Sequence, residues 1–247
     1  MFIGAGTTIN VATVLVGSSL GLGLGHRLPQ RTRDVVTDAL GLVTLLIAAL
    51  SASAVGDRRL SDAVGADAPV LIVLGSLLIG GICGSLLRIE DRLEGFGGFL
   101  QAHLARGGGE TRQRFIEGFV TASLVFCVGP LTILGSLQDG LGEGSQQLVL
   151  KSVLDGFAAI AFAASLGAGV VASALAVFVV QGSLTLVGVA LGGFLPEPHL
   201  LALTAAGGLL LAGVGLRLLR IRQIPVGDLL PALAVAPVLT AAVIAFR

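Results

Sequence analysis

The chain has 247 residues, of which 54% are hydrophobic and only 12% are charged, and its acidic and basic residues balance to zero net charge. Soluble domains carry about 25% charged residues, so this composition excludes a soluble globular protein, which would lack the polar residues to cover its surface. The absence of a basic excess gives no support for a nucleic-acid partner. A surface that faces the lipid bilayer needs no polar cover, and the composition therefore predicts an all-α, polytopic membrane helix bundle.

Apolar segments long enough to cross a membrane recur along the whole chain, which we treat as a single integral membrane domain, residues 1–247. A helical span needs about 20 mostly apolar residues, and eight segments approach this length. The stretch 148–195 is too long for one span, and Gly167 and Gly169 are expected to divide it because glycine weakens a helix. The predicted spans are residues 8–25, 39–55, 69–87, 115–137, the two parts of 148–195, 200–216 and 228–246.

Arginines in the loops predict the orientation, because cytoplasmic loops carry an excess of basic residues. With eight spans, eleven arginines lie on one side, and the other side has Arg58, Arg59 and Arg247. We therefore expect the eleven in the cytoplasm and both termini outside, whereas seven spans would place the group around Arg217 on the wrong side. The eleven are Arg27, Arg31, Arg33, Arg88, Arg92, Arg106, Arg112, Arg114, Arg217, Arg220 and Arg222.

Lys151 and Asp155 are ionisable residues within the fifth span, where a charge is costly and therefore suggests a function. Their four-residue spacing places both side chains on one helix face, with Asp155 about 6 Å deeper than Lys151. One interpretation is a carboxylate that binds a cation or proton, with the lysine as its counter-charge. The other is an ion pair that satisfies itself at a helix start, and the sequence leaves both open.

Three further polar residues complete the predicted pathway for a solute or ion. Asp139 closes the fourth span next to a loop without basic residues. Asn10 lies about one turn inside the first span, where it is expected to bond to another helix or to join Thr7 and Thr8 at a ligand. Gln181 lies near the middle of the sixth span, where an amide is expected to bond to a neighbouring helix.

Glycine and proline mark two features of the helices themselves. Gly129-Pro130 lies in the middle of the fourth span, and proline kinks a helix by removing a backbone hydrogen bond. Such a break either exposes backbone groups to a substrate, as in many transporters, or is a packing kink. Gly17, Gly21 and Gly25 form a face on which another helix can approach closely, either within one chain or in a homo-oligomer.

Short matches between spans one and six suggest an inverted repeat. Gly17-Ser18 recurs as Gly182-Ser183, and each span is followed by Leu-Pro. The two spans are five apart and would run in opposite directions, which is a common arrangement in secondary transporters.

Enzyme motifs are missing from the sequence, which contains no His-Glu-x-x-His, no Walker loop and no Gly-x-Ser-x-Gly. The three histidines, His26, His103 and His199, are scattered along the chain. We therefore expect no enzymatic activity, no cofactor and no metal site.

Five segments share a recognisable pattern, and they are residues 6–10, 17–21, 126–141, 151–156 and 181–182. Together these segments resemble the YdfK/YqgA-like bacterial membrane proteins, known as domain of unknown function 554. The resemblance covers nearly the full length, although Pro130 departs from the small residue expected there. It implies a bacterial cytoplasmic-membrane location, but no established activity and no functional residues that could be transferred.

Two functions remain open at this point. The first is a transporter of a small solute or ion, with Asn10, Asp139, Lys151, Asp155 and Gln181 at its site and Asp155 as the coupling charge. The alternative is a non-transport scaffold or regulator that affects the cell surface. Its contact with a partner would be the glycine-rich connection 88–114.

Overall fold

The computed structural model describes residues 2–25, 29–104, 110–127, 130–142, 144–191 and 196–246. These residues form helices and contain no strand, which confirms the predicted all-α class. The helices are α1 (Ala5–Gly25), α2 (Gln30–Ala52), α3 (Arg58–Val64), α4 (Ala68–Leu87), α5 (Ile89–Leu104), α6 (Glu110–Cys127), α7 (Pro130–Leu141), α8 (Gln146–Leu166), α9 (Gly169–Leu191), α10 (Glu197–Leu218), α11 (Val226–Leu229) and α12 (Ala232–Ala245).

Each predicted span coincides with a helix or helix pair long and apolar enough to cross a membrane. Within the described ranges, seven helical segments meet this condition, one of which combines α11 and α12, and α6 with α7 forms an eighth candidate that is bent by 73°. The predicted division of the longest apolar stretch is also found, since Gly167 ends α8 with a φ of 87°. That backbone conformation favours glycine over residues with a side chain.

The packing of α1 against α8 indicates that the bent pair crosses the membrane instead of returning to the same side. The two helices run parallel, because Gly6, Gly17 and Gly25 of α1 meet Leu148, Gly156 and Ala164 of α8 in that order. Parallel spans require an odd number of crossings between them. With α2 and α4 as two crossings, the α6–α7 pair supplies the third.

The helices cluster into two compact units, each built from two segments of the chain. The first unit comprises Met1–Leu42 and Leu93–Gly193, and the second comprises Val43–Arg92 and Phe194–Arg247. The first contains α1 and α6 to α9, and the second contains α3, α4 and α10 to α12. In the connection 88–114, α5 forms the first part, and the predicted glycine linker 107–109 lies outside the described residues.

Glycines on α1 bring two helix backbones together in the first unit. A side chain at Gly17 or Gly21 would collide with a backbone carbonyl of α8, at Gly156 and Ile160 respectively. The predicted small-residue face is therefore used for packing within the chain, and it fixes α1 firmly on α8.

The second unit combines a small apolar core with a polar cluster where helices end. Leu60 and Val64 of α3 pack with Ile72 of α4 and with alanines of α10 and α12. At the start of α5, the Glu90 carboxylate pairs with Arg217 and accepts the Gly227 N–H at 2.6 Å.

Candidate functional site

An outer layer of polar contacts joins three helices of the first unit near the start of α1. The Gly6 N–H donates to Asp139 Oδ2 at 3.1 Å, and the Thr7 and Thr185 hydroxyls lie 3.3 Å apart. The first N–H groups of a helix have no partner within the helix, and a carboxylate is favourable at this positive end. Asp139 of α7 thus caps α1, so the structure gives this predicted pathway residue a defined partner.

One helical turn deeper lies a buried ion pair with a third polar partner. Lys151 Nζ lies 2.5 Å from Asp155 Oδ2, and each side chain keeps 8% of its surface accessible. Asn10 Nδ2 of α1 donates to the same Asp155 oxygen at 2.9 Å. The structure therefore brings three of the five predicted residues into direct contact, and the expected bond from Asn10 to another helix is present.

Hydrogen-bonding atoms without a partner occur on Asn10, which contacts this ion pair, and on two other buried residues of the first unit. Among the described residues, Asn10 Oδ1 and both amide atoms of Gln181 have no hydrogen-bond partner, and both residues are 0% exposed. The expected bond from Gln181 to a neighbouring helix is therefore absent, and that prediction was wrong. Ser136 Oγ on α7 is a further buried hydroxyl with no partner in this part of the chain.

Asn10 and Gln181 lie at the same depth in the unit. The helices α1 and α9 are antiparallel, because Gly25 at the end of α1 meets Ala164, shortly before α9 begins. The Thr7–Thr185 contact fixes their register. Asn10 follows Thr7 by three residues and Gln181 precedes Thr185 by four, so each lies one turn inward. We refer to Asn10, Lys151, Asp155 and Gln181 as the inner polar cluster.

The bend between α6 and α7 lies beside the inner polar cluster. The structure begins α7 at Pro130, and Gly129, the other half of the predicted kink, lies outside the described residues. Thr132 Oγ1 donates to the Phe126 carbonyl at 3.0 Å, which satisfies a backbone group that the interrupted helix leaves free. Cys127 at the end of α6 lies within electrostatic range of Lys151 and Asp155.

Sequence reasoning overlooked Thr185 and Ser136 as members of the polar region. Helical spacing was the available signal, because Thr185 follows Gln181 by four residues and Ser136 precedes Asp139 by three. The signal is weak for a lone hydroxyl within a span, because serine and threonine can bond to their own helix, as Ser183 does to the Val179 carbonyl at 2.6 Å.

The described part of the chain contains no candidate metal site. No group of three or more histidine, cysteine, aspartate or glutamate side chains there could hold a metal ion. The polar groups of the inner polar cluster are one ammonium group, one carboxylate and two amides.

Comparison with known proteins places the chain in a family. Residues 5–241 match the family described as "Protein of unknown function (DUF554)". The chain is 30% identical to "Uncharacterized membrane protein YdfK" of Bacillus subtilis (strain 168) over 242 residues, which are 98% of this chain and 97% of the relative. It is 33% identical to "Uncharacterized protein YqgA" of Escherichia coli (strain K12) over 238 residues, 96% of each chain. No solved structure matches it. The chain therefore belongs to the DUF554 family of membrane proteins.

Proposed function

We propose that this protein transports a small solute or ion across the bacterial cytoplasmic membrane and binds it at the inner polar cluster. The observation that carries the proposal is the set of unpartnered atoms, Asn10 Oδ1 and the Gln181 amide, at the depth of a buried ion pair. Leaving a buried polar group without a hydrogen bond costs about 1–3 kcal/mol. A ligand that supplies the missing bonds would recover this free energy.

The position of the cluster also supports transport. Asp155 and Gln181 lie near the middle of α8 and α9, the tenth of 21 and the thirteenth of 23 residues. Secondary transporters commonly bind substrate near the bilayer midplane, next to an interrupted helix. The 73° bend between α6 and α7 supplies such an interruption.

The outer layer would then control access from one side. The Gly6–Asp139 and Thr7–Thr185 contacts lie between the cluster and the N-terminal end of α1. With both termini outside the cell, separation of these contacts opens the cluster to the exterior. Their closure, as in this structure, shields it.

The proposed orientation has a direct labelling test. Cys83 and Cys127 are replaced by alanine and Phe2→Cys is introduced near the start of the chain, where Phe2 is exposed. We expect a membrane-impermeant thiol reagent to label intact spheroplasts. Labelling only after permeabilisation would contradict an external N-terminus.

The binding proposal is tested by thermal unfolding of the purified protein against a panel of ions and small metabolites. A ligand at 100 times its Kd stabilises the folded state by about 2.7 kcal/mol, and we expect at least one to raise the Tm of the wild type but not of Asp155→Asn. Glu90→Gln is the matched control, because it alters a part-buried, ion-paired carboxylate in the second unit and should keep the ligand response. The proposal fails if no ligand raises the wild-type Tm, or if Asp155→Asn responds as the wild type does.

A further inference from the structure

The charges and unpartnered atoms of the inner polar cluster specify a class of substrate. Resting on the proposed function, we infer that the substrate is a small zwitterion of the amino-acid class, which carries one ammonium group and one carboxylate.

Charge balance favours a ligand without net charge. Lys151 and Asp155 carry opposite charges and together contribute none. Asp139, one turn outward, already faces the positive end of α1 through Gly6. A lone cation or anion would leave an uncompensated charge among buried groups, at a cost of several kcal/mol. A zwitterion adds a charge of each sign and leaves the cluster neutral.

The acceptors and donors of the inner polar cluster match both ends of such a molecule. Among the described residues, the bonds to the Asp155 carboxylate both go to Oδ2, from Lys151 and Asn10. Asp155 Oδ1, Asn10 Oδ1 and Gln181 Oε1 are acceptors suited to an ammonium group. The Lys151 ammonium group, which has three N–H donors and donates to Asp155, and Gln181 Nε2 are donors suited to a carboxylate.

New ion pairs with a zwitterion offset the free energy that is lost when Lys151 and Asp155 separate. When the zwitterion enters between Lys151 and Asp155, the two side chains lose their contact with each other. Lys151 then pairs with the carboxylate of the ligand, and Asp155 pairs with its ammonium group. A molecule with only one charged group satisfies one side and leaves the other buried and unpaired, which is strongly unfavourable. Asn10 and Gln181 are 0% exposed, so a ligand that reaches them must be enclosed by the packed helices, which favours a small molecule.

The experiment compares whole zwitterions with their halves on the full-length wild-type protein in detergent. Glycine and L-alanine are the zwitterionic probes, ethylamine and acetate carry one charge each, and sodium chloride controls for ionic strength. We expect glycine or L-alanine to raise the Tm, and ethylamine, acetate and sodium chloride to leave it unchanged. An equal shift with ethylamine, acetate or sodium chloride would overturn the inference.

Variants locate the effect at the ion pair. Lys151→Gln and Asp155→Asn should each abolish the zwitterion shift. The reversed pair, Lys151→Asp with Asp155→Lys, retains an ion pair for folding but inverts the positions of the two charges. We expect its apparent affinity for the zwitterion, from the concentration dependence of the Tm, to be at least tenfold weaker than that of the wild type. An unchanged shift in the folded reversed pair would contradict the assignment of ligand ends to Lys151 and Asp155.

Failure of the inference is distinguishable from failure of the proposed function. Stabilisation and Asp155-dependent uptake of a singly charged solute alone would reject the zwitterion and leave the transport proposal standing. The absence of any stabilising solute would reject both.

Discussion

Each unit of the protein contains an ion pair with little exposure to solvent, buried in the first unit and part-buried in the second, and the two pairs differ in how completely their hydrogen bonds are satisfied. In the second unit, both Glu90 carboxylate oxygens are engaged, one by Arg217 and one by the Gly227 N–H, and the Glu90 N–H donates to Asp228 at 2.9 Å. In the first unit, the amides around Lys151 and Asp155 leave atoms without partners. An ion pair whose hydrogen bonds are complete therefore gives no reason to propose a binding site, whereas buried atoms without partners require an explanation, for which we propose a ligand.

Position within the helices explains this difference. Glu90 and Arg217 lie at the ends of α5 and α10, where free backbone groups such as those of Gly227 and Ile224 supply partners. Asp155 lies in the middle of α8, where the backbone is already bonded within the helix. Only side chains or a ligand can complete the bonding there.

The largest effect on stability is expected from Glu90→Ala. This substitution leaves the part-buried Arg217 charge and the Gly227 N–H without their partner. We expect a cost that approaches the lower limit of about 3 kcal/mol for removal of one member of a buried pair. Thermal unfolding should show a large fall in Tm, with the ligand response of the remaining folded protein intact. A loss of ligand response at unchanged Tm would contradict this account, because Glu90 would then contribute to ligand binding and not to stability.

Substitution of glycine by alanine on α1 tests whether helix packing holds the inner polar cluster together. A side chain at Gly21 would meet Ile160 O and the Ala163 side chain, whereas at Gly23 nothing lies within 4 Å. We expect Gly21→Ala to destabilise the protein by about 1–3 kcal/mol through overpacking. Gly23→Ala, the matched control, should be neutral or stabilise by up to about 1 kcal/mol through helix propensity. Equal Tm values for the two variants would contradict the close α1–α8 contact.

Gln181→Leu is expected to separate stability from binding. It replaces two buried unpartnered amide atoms with an apolar group of similar size, so the ligand-free protein should gain about 1–2 kcal/mol. The zwitterion response should disappear. A fall in Tm without ligand would show that Gln181 makes a stabilising contact and would remove it from the binding site.

The smallest effect is expected from an exposed ion pair outside the spans. Arg59 hydrogen-bonds to the Asp57 carboxylate and lowers its pKa below the usual range. A lowered pKa stabilises the fold above the unfolded-state pKa of about 3.9, and the contribution is lost as the pH falls through the lower folded-state value.

Asp57→Asn isolates this charge, because asparagine can still accept the Arg59 N–H that Asp57 caps at the start of α3. The variant should have a slightly lower Tm than the wild type at pH 7. The difference should vanish as the pH is lowered below about 3.9. A difference that grows on acidification would contradict the lowered pKa.

Local features of the sequence were sufficient to predict the spans, the break at Gly167 and the Lys151–Asp155 contact. Each depends on residues within one helix, where apolar length and four-residue spacing determine the outcome. Contacts between distant segments were not predictable in this way. Asn10 reaches Asp155 across 145 residues and Arg217 reaches Glu90 across 127, and Arg217 appeared in the sequence only as a loop charge that sets orientation.

The unpartnered state of Gln181 was also beyond sequence reasoning. An amide in a membrane span usually finds a partner on a neighbouring helix, and whether it does depends on which side chains the neighbours present. The small and apolar residues of α9 that flank it, such as Val177 and Gly182, give no indication of what lies opposite. Only the packed structure reveals the missing hydrogen bonds.

Uptake into proteoliposomes tests the central claim most directly, using the solute that gives the largest wild-type Tm shift. Wild type, Asp155→Asn and Glu90→Gln are reconstituted at equal amounts of folded protein. We predict uptake by wild type and Glu90→Gln and none above empty liposomes by Asp155→Asn. Equal uptake by Asp155→Asn and wild type would contradict the assignment of the inner polar cluster as the transport site.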